Sequence, residues 1–300
     1  MRIAILSRGP GNYSTKRIKE EAISKGHDVR IIDYSKCYLS LESSKPIVRY
    51  EGEELSDFDV IIPRIASSLT RYGAAVVRQF EMKNVFTTTT SIALTRSRDK
   101  LRSLQLLSKA GIGIPKTVFA RDTADLDDVL DQVGGAPVII KVARGTHGKG
   151  VVLAETRKAA RAVMQAFYVE GVSFLVQEYI AESEGADIRA FVVGGKVVAS
   201  MKRQSLDEDF RSNIHQGGVG KPVRLTDEER KVAQKAAKTM GLPVCGVDLL
   251  RSNRGSLVLE VNASPGFAIE KITGHNVATK IIEYVEQNAR GRRRRDRIGA

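Results

Sequence analysis

Val244-Cys245-Gly246-Val247-Asp248-Leu249-Leu250-Arg251-Ser252-Asn253-Arg254-Gly255-Ser256-Leu257-Val258-Leu259-Glu260-Val261-Asn262-Ala263-Ser264-Pro265-Gly266 is the stretch that decides the fold. Two apolar runs flank the turn signal Ser252-Asn253-Arg254-Gly255, which predicts a β-hairpin. Folded about Arg254, the hairpin sets Asp248 opposite Glu260. Alternation along a strand gives Glu260 and Asn262 one face and Leu257, Leu259 and Val261 the other. Like charges facing across a strand pair repel, and burying them is costly unless something neutralises them. Two carboxylates and an amide oxygen are hard donors suited to Mg²⁺ that shares its coordination with phosphates. The competing reading is a solvated hairpin face; the apolar flanks and the Ala263-Ser264-Pro265-Gly266 segment weigh against it.

Outward from the hairpin, 300 residues suggest about two domains, and 42% hydrophobic residues supply a real core. The apolar run Ile3 to Leu6 is too short for a signal peptide, and no stretch approaches a membrane span, so a cytoplasmic location is expected and no membrane partner. Cys37 and Cys245 stand far apart, and the four histidines lack metal-ligand spacing; neither a disulfide framework nor a zinc site follows. The formal charge is +13, of which Arg290 to Arg297 alone supplies +5. Such a run reads as a solvated, disordered tail. It can attract polyanions through arginine–phosphate contacts, so an accessory RNA contact is open. No nucleic-acid motif or aromatic interleaving accompanies it.

The first 95 or so residues alternate strand candidates (Arg2 to Ser7, Asp28 to Asp33, Asp59 to Pro63, Val85 to Thr87) with helix candidates (Ser14 to Lys25, Leu69 to Lys83). That alternation predicts a small parallel α/β sheet. Gly9 and Gly11 follow the first strand, but the third glycine of a dinucleotide turn is missing and Pro10 intervenes, so no cofactor site is expected there. A basic helix is expected from Arg98 to Ala110, closed by Gly111 and followed by Pro115. Hairpins then dominate: Pro137 to Val142 with Val151 to Ala154, a helix near Lys158 to Tyr168, a strand Phe174 to Ile180, and Ile188 to Val193 with Lys196 to Met201. Thr226-Asp227-Glu228-Glu229 is a capping box opening a helix that ends at Gly241, and a last helix covers Val277 to Asn288. The expected division is 1–97, an α/β unit; 98–288, a catalytic region with a lid (about 112–180) and a metal-binding part (about 181–288); and 289–300, the tail.

Arg144-Gly145-Thr146-His147-Gly148-Lys149-Gly150 connects two strands. Its glycines let backbone N–H groups approach an anion. The P-loop spacing fails, because Val151 follows Gly150 where a lysine is required, so the segment reads as a flap over phosphates or as an ordinary long hairpin loop. Lys141 lies within Val138-Ile139-Ile140-Lys141-Val142; a lysine there needs a partner or must snorkel, and a phosphate would serve. Lys100 is a weaker candidate of the same kind. Glu178 and Tyr179 end an apolar strand whose backbone can bind a flat base edge, and Asp187 is a candidate acceptor for ribose hydroxyls. Arg203 and Arg211, the latter in Arg211-Ser212-Asn213, are candidates to clamp phosphoryl oxygens, with surface salt bridges as the alternative.

Taken together, these residues make the chain resemble the ATP-grasp superfamily, and within it the RimK-type ligases that add glutamate to the C-terminus of a small-subunit ribosomal protein. The resemblance runs from Ile3-Ala4-Ile5-Leu6-Ser7-Arg8 to about Ala289. It is most specific in Asp99-Lys100-Leu101-Arg102, Val133-Gly134-Gly135-Ala136-Pro137, Val152 to Arg157, Asp209 to Asn213 and Glu260 to Gly266. It implies an ATP-grasp fold of α/β class, α+β in its catalytic part, behind a small parallel-sheet N-terminal domain. By it, Lys100, Lys141 and Gly148 contact ATP phosphates, Glu178 and Tyr179 the adenine, Asp187 the ribose, and Arg211, Ser212 and Asn213 the phosphates. Asp248, Glu260 and Asn262 would hold two Mg²⁺ or Mn²⁺ ions. The implied reaction phosphorylates a carboxylate with ATP and lets an amine displace phosphate, with Arg203 and Arg211 on the acyl-phosphate oxygens. That chemistry needs positioning and charge neutralisation, with no covalent nucleophile on the protein. ATP, L-glutamate and a protein C-terminus are the implied partners, in a homo-oligomer such as a tetramer. Two related reactions also fit: ligation to an amino-group carrier protein or to the glutamate tail of a cofactor. A nucleotide-switched RNA- or ribosome-binding protein is the rival from another class. After Gly266 the chain reads Phe267-Ala268-Ile269-Glu270, shorter than the Leu-Glu-Gly-Ile-Glu of such relatives, which bears on acceptor recognition.

Overall fold

The computed structural model describes residues 1–43, 45–121, 125–142, 150–205 and 219–289. In the N-terminal part, β1 (Arg2–Leu6) leads through α1 (Tyr13–Ser24) to β2 (Asp28–Ile32). An antiparallel ribbon of β3 (Cys37–Glu42), β4 (Lys45–Tyr50) and β5 (Glu53–Glu54) follows, then β6 (Val60–Pro63), α2 (Thr70–Met82) and β7 (Phe86–Thr87). The parallel sheet has the order β2-β1-β6-β7. Its central strands are near-continuous apolar runs because both faces are covered. Ala4, Leu6 and Ile61 face one core, and Ile3, Ile5, Val60 and Ile62 face another. The ribbon β3–β5 was not expected from the sequence. It is held from outside by the buried Gln79 amide of α2, which donates to Ser40 O and Ile47 O at 3.2 and 3.3 Å.

The expected basic helix forms as α4 (Lys100–Lys109), and an unexpected helix, α3 (Ser91–Arg98), precedes it. Asp99 separates them: its extended backbone stops the first, and its carboxylate caps the second by accepting from Arg102 N at 3.0 Å. The segment expected to be a lid follows as β8 (Thr117–Ala120), α5 (Leu126–Gln132), β9 (Val138–Val142), β10 (Val151–Ala154), α6 (Arg157–Val169) and β11 (Phe174–Glu178), with sheet order β10-β9-β11-β8. It has a core of its own, built around Leu130, Val138, Ile140, Met164 and Phe174. The chain enters and leaves it side by side: Glu178 N donates to Lys116 O at 3.0 Å, and Lys116 N donates to Glu178 Oε1 at 2.6 Å.

The last part comprises β12 (Ala186–Val193), β13 (Lys196–Gln204), β14 (Val219–Pro222), α7 (Asp227–Thr239), β15 (Val244–Ser252), β16 (Gly255–Asn262), α8 (Ala268–Thr273) and α9 (Val277–Asn288). The antiparallel sheet order is β14-β13-β12-β15-β16. The capping box forms as expected, with Glu229 N on Thr226 Oγ1 and Thr226 N on Glu229 Oε2. This sheet shares both of its cores with the N-terminal sheet. The two are welded together, and the lid stands apart.

Candidate active site

The hairpin β15–β16 pairs Asp248 with Glu260 as expected, but it turns between Ser252 and Gly255 rather than about Arg254, and a bulge restores that pairing. One expectation needs correcting. A bulge lets Leu249 face Val258, so the simple alternation slips by one residue. Leu250 shares the face of Asp248 and pairs with Leu257, which puts Leu257 on the Glu260 face rather than opposite it. Val258 takes its place in the core, fully buried with Val261.

Strand β12 adds the residue that sequence reasoning missed. Arg189 pairs with Asp248 in the sheet register and holds it bidentately, Nε to Oδ1 at 2.7 Å and Nη2 to Oδ2 at 2.6 Å. The signal was available: Arg189 is a cation inside the apolar run Ile188 to Val193, as Lys141 is in its own strand. Next to it, Asp187 and Arg203 pair across β12 and β13, Nε to Oδ1 and Nη2 to Oδ2, both at 2.5 Å. Arg203 Nη2 also reaches Asp248 Oδ2 at 2.8 Å. Burial alone would raise the Asp248 carboxyl, but Arg189 and Arg203 override it and hold it well below the usual carboxylate range. Burial likewise opposes charge on Arg203, and Asp248 and Asp187 more than compensate.

Asp187 is thus buried with both oxygens on Arg203, and Arg203, 2% exposed, ties the two carboxylates together through Nε and Nη2 and positions Asp248. Gly148, Arg211, Ser212 and Asn213 lie outside the described residues, as does the arginine tail.

Glu260 is exposed at the mouth of this network. Asn262 Nδ2 donates to Glu260 Oε1 at 2.9 Å and faces Asp248 Oδ2 at 3.4 Å, drawing the three side chains together. Lysines converge on Glu260 from two other elements. Lys141, on β9, donates to the buried Gln177 Oε1 at 2.7 Å. Burial pushes its ammonium down to about 8, against the pull of Glu260 and with a push from Lys100. Lys100, at the start of α4, is lowered by burial and drawn back by the same Glu260. Lid, boundary helix and hairpin thus meet around one carboxylate. Glu178 sits at the lid's root, where its carboxylate takes Lys116 N and pairs with Arg254 from the hairpin turn. Tyr179 follows it directly, half-buried.

The donor set suits a hard cation. Among the described residues no three His, Cys, Asp or Glu side chains close into a cage, so a divalent ion at Asp248, Glu260 and Asn262 would complete its shell with phosphate oxygens and water, as Mg²⁺ does. No helix among the described residues is long and apolar enough to cross a membrane.

Residues 97–285 match the RimK-like ATP-grasp domain, and residues 1–94 match the RimK PreATP-grasp domain. The chain belongs to the RimK-like ATP-grasp family. As a member it is an ATP-dependent ligase of α/β class. RimK-like relatives cover it end to end. A probable alpha-L-glutamate ligase of Teredinibacter turnerae is 58% identical over 298 residues, 99% of either chain. One of Picosynechococcus is 57% identical over 299 residues, again 99% of each. Solved structures share the fold at low identity. The ATP-grasp ligase PsnB, complexed with minimal precursor, Mg and ADP, superposes with a TM-score of 0.74 at 17% identity, over 97% of this chain and 98% of that one. The D-alanine–D-alanine ligase of Bacillus anthracis complexed with ATP gives 0.66 at 18%, over 96% and 97%.

Proposed function

We propose that the protein joins L-glutamate to the C-terminal carboxylate of an acceptor polypeptide, with a small-subunit ribosomal protein as the acceptor. The observation that carries this reading is the pull of one carboxylate, Glu260, on both Lys100 and Lys141, with Asp248 paired to that same Glu260 across the hairpin. Cations placed over paired acids suit a polyphosphate bridged to the protein by divalent metal. The names of the full-length relatives favour glutamate as the amino acid.

In the proposed reaction an acceptor carboxylate oxygen attacks the γ-phosphorus of ATP. The bond to the β,γ-bridging oxygen breaks, and an acyl phosphate and ADP result. The amine of glutamate then attacks the acyl carbon, phosphate leaves with the C–O electron pair, and the amine proton passes to solvent or phosphate. Mg²⁺ at Asp248, Glu260 and Asn262 would neutralise charge on the transferring oxygens. Lys141 and Lys100 draw the triphosphate toward Glu260, and Gln177 holds the Lys141 ammonium in place. The Asp187–Arg203–Asp248–Arg189 network keeps Asp248 ionised and fixed before substrate arrives, so no reorganisation is needed at the moment of transfer. The base edge of ATP would lie at Glu178 and Tyr179. Arg211, Ser212 and Asn213 enter this reading by family resemblance alone.

The deciding experiment incubates the protein with ATP, Mg²⁺, glutamate and separate acceptors: a ribosomal protein, an amino-group carrier protein and a glutamate-tailed cofactor. Intact mass then identifies the product. A glutamyl adduct on the ribosomal protein, with matching ADP, is expected. An adduct on one of the others would reassign the acceptor, and ADP without any adduct would remove the ligase reading for these substrates. Deleting residues 290–300 should leave ADP formation intact.

A further inference from the structure

The chain moves from β1 to β2 on one side and later places β6 on the other. The crevice beyond the carboxyl ends of β1 and β6 is therefore a topological switch point, where open α/β sheets bind ligands. No step of the ligase chemistry above uses it. Arg64 directly follows β6, and Arg98 ends α3; each keeps a buried Nε with no hydrogen-bond partner. Their other bonds go to neutral groups: Arg64 Nη2 to Pro265 O at 2.6 Å and Ser14 Oγ at 3.1 Å, and Arg98 Nη2 to Ile65 O at 2.9 Å. These contacts fix the two guanidiniums in orientation and cancel none of their charge.

The environment opposes that charge. Burial pushes Arg64 down to about 10, and the neighbouring Arg98 pushes it further. Burial lowers Arg98 as well, against the pull of Glu260 and Tyr34. A third group lies at the catalytic hairpin's exit: the Ser264 hydroxyl, one residue before the Pro265 whose carbonyl Arg64 grips, is buried and unpartnered. Arg64 also lies over the Phe267 ring, 5.2 Å from its centroid, so the segment after Gly266 forms one wall. Among the described residues no carboxylate pairs with either arginine within salt-bridge distance. Two withdrawn guanidiniums and a hydroxyl donor call for an anion with two acceptor oxygens, which is the geometry of a carboxylate.

We propose that Arg64, Arg98 and Ser264 form a carboxylate subsite at the β1/β6 switch point, shared between the N-terminal sheet and the hairpin exit, that holds a substrate carboxylate during transfer. The inference rests on the ligase reading above. Its ligand is the α-carboxylate of the incoming glutamate or the terminal carboxylate of the acceptor.

Calorimetry on the full chain with ADP and Mg²⁺ present separates the two. The probes are L-glutamate and a peptide with a free C-terminus, each compared with its α- or C-terminal amide. One free acid should bind at least about tenfold tighter than its amide, the scale of a charged hydrogen bond. Arg98→Met should erase that difference, Arg98→Lys should keep part of it, and Ser264→Ala should reduce it about threefold. The Kd for ADP should stay within about twofold throughout, which also reports that each variant is folded. Discrimination by the glutamate probe assigns the subsite to glutamate, and discrimination by the peptide assigns it to the acceptor. If acid and amide bind alike, if neither probe binds, or if Arg98→Met weakens ADP as much as the acid, the subsite is wrong. Lost product with intact discrimination would instead count against the ligase reading alone.

Discussion

Replacing Arg203 by methionine tests whether the buried network is the frame of the site. Arg203 makes three short charged contacts, two to Asp187 at 2.5 Å and one to Asp248 at 2.8 Å. With Arg189 it balances two carboxylates that are 7% and 2% exposed. The variant leaves those two acids with one guanidinium, which is already bidentate on Asp248. Removing one partner of a buried pair costs about 3–5 kcal/mol, a large share of the roughly 5–15 kcal/mol that holds a typical domain folded. The pH dependence has a definite sign. Asp248 has a lowered carboxyl pKa in the fold, so its contribution is present above the ordinary aspartate value of about 3.9 and is lost as pH falls below it. In the variant Asp187 loses its bidentate cation and takes up a proton more readily. The penalty should therefore shrink toward acid. Urea denaturation of both proteins at two pH values that bracket that window, about 7.5 and about 3.5, measures this directly. A penalty below about 1 kcal/mol at the higher pH, no more than an exposed pair is worth, or one identical at both, would refute the argument. Asp187→Leu in the same background removes the orphaned charge and should recover about half of the loss, a coupling that a double-mutant cycle reads out.

Three further outcomes follow from the site. Glu260→Gln keeps the Asn262 contact of an exposed side chain, so stability should stay within about 0.5 kcal/mol while ADP formation falls about 10²–10³-fold; full ADP production would remove Glu260 from the chemistry. Lys141 is charged below about 8 and neutral above it, so kcat/KM for ATP should decline as pH rises through that value, and Lys141→Arg should flatten the decline. A wild-type profile level across that range would contradict the assignment. Thr226→Ala removes the capping hydroxyl of α7 and should cost about 1–2 kcal/mol in urea denaturation without altering the KM for ATP.

The legible parts of this chain were those written in local chemistry. The turn at Ser252 to Gly255 and the capping box at Thr226 and Glu229 act within a few residues, and the structure forms both where the sequence places them. The bulge at Leu259 was invisible, because it depends on which residues of the partner strand are bonded. Arg189 was hidden for a related reason: its partner lies 59 residues away, and only the β12–β15 register brings them together. The ribbon from Cys37 to Glu54 is fastened by Gln79 of another element, which local patterning does not encode. Arg64 and Arg98 read as ordinary cations until the fold withdraws both from water.

The lid hangs from the body by two adjacent strands bonded at Lys116 and Glu178, and it carries its own core. Mechanically that is the layout of a door on one pair of pins. Val138 lies opposite Glu178 at the pinned end, and Val142 lies opposite Phe174 at the free end. Four residues of strand make a lever arm of roughly 14 Å. An angular play of about 10° at the pins therefore sweeps the free edge by roughly 2–3 Å on that arm, enough to make or break a hydrogen bond. Lys141 rides near that edge. Arg254, gripping Glu178 at the pin, thus tunes the reach of a lysine it never touches.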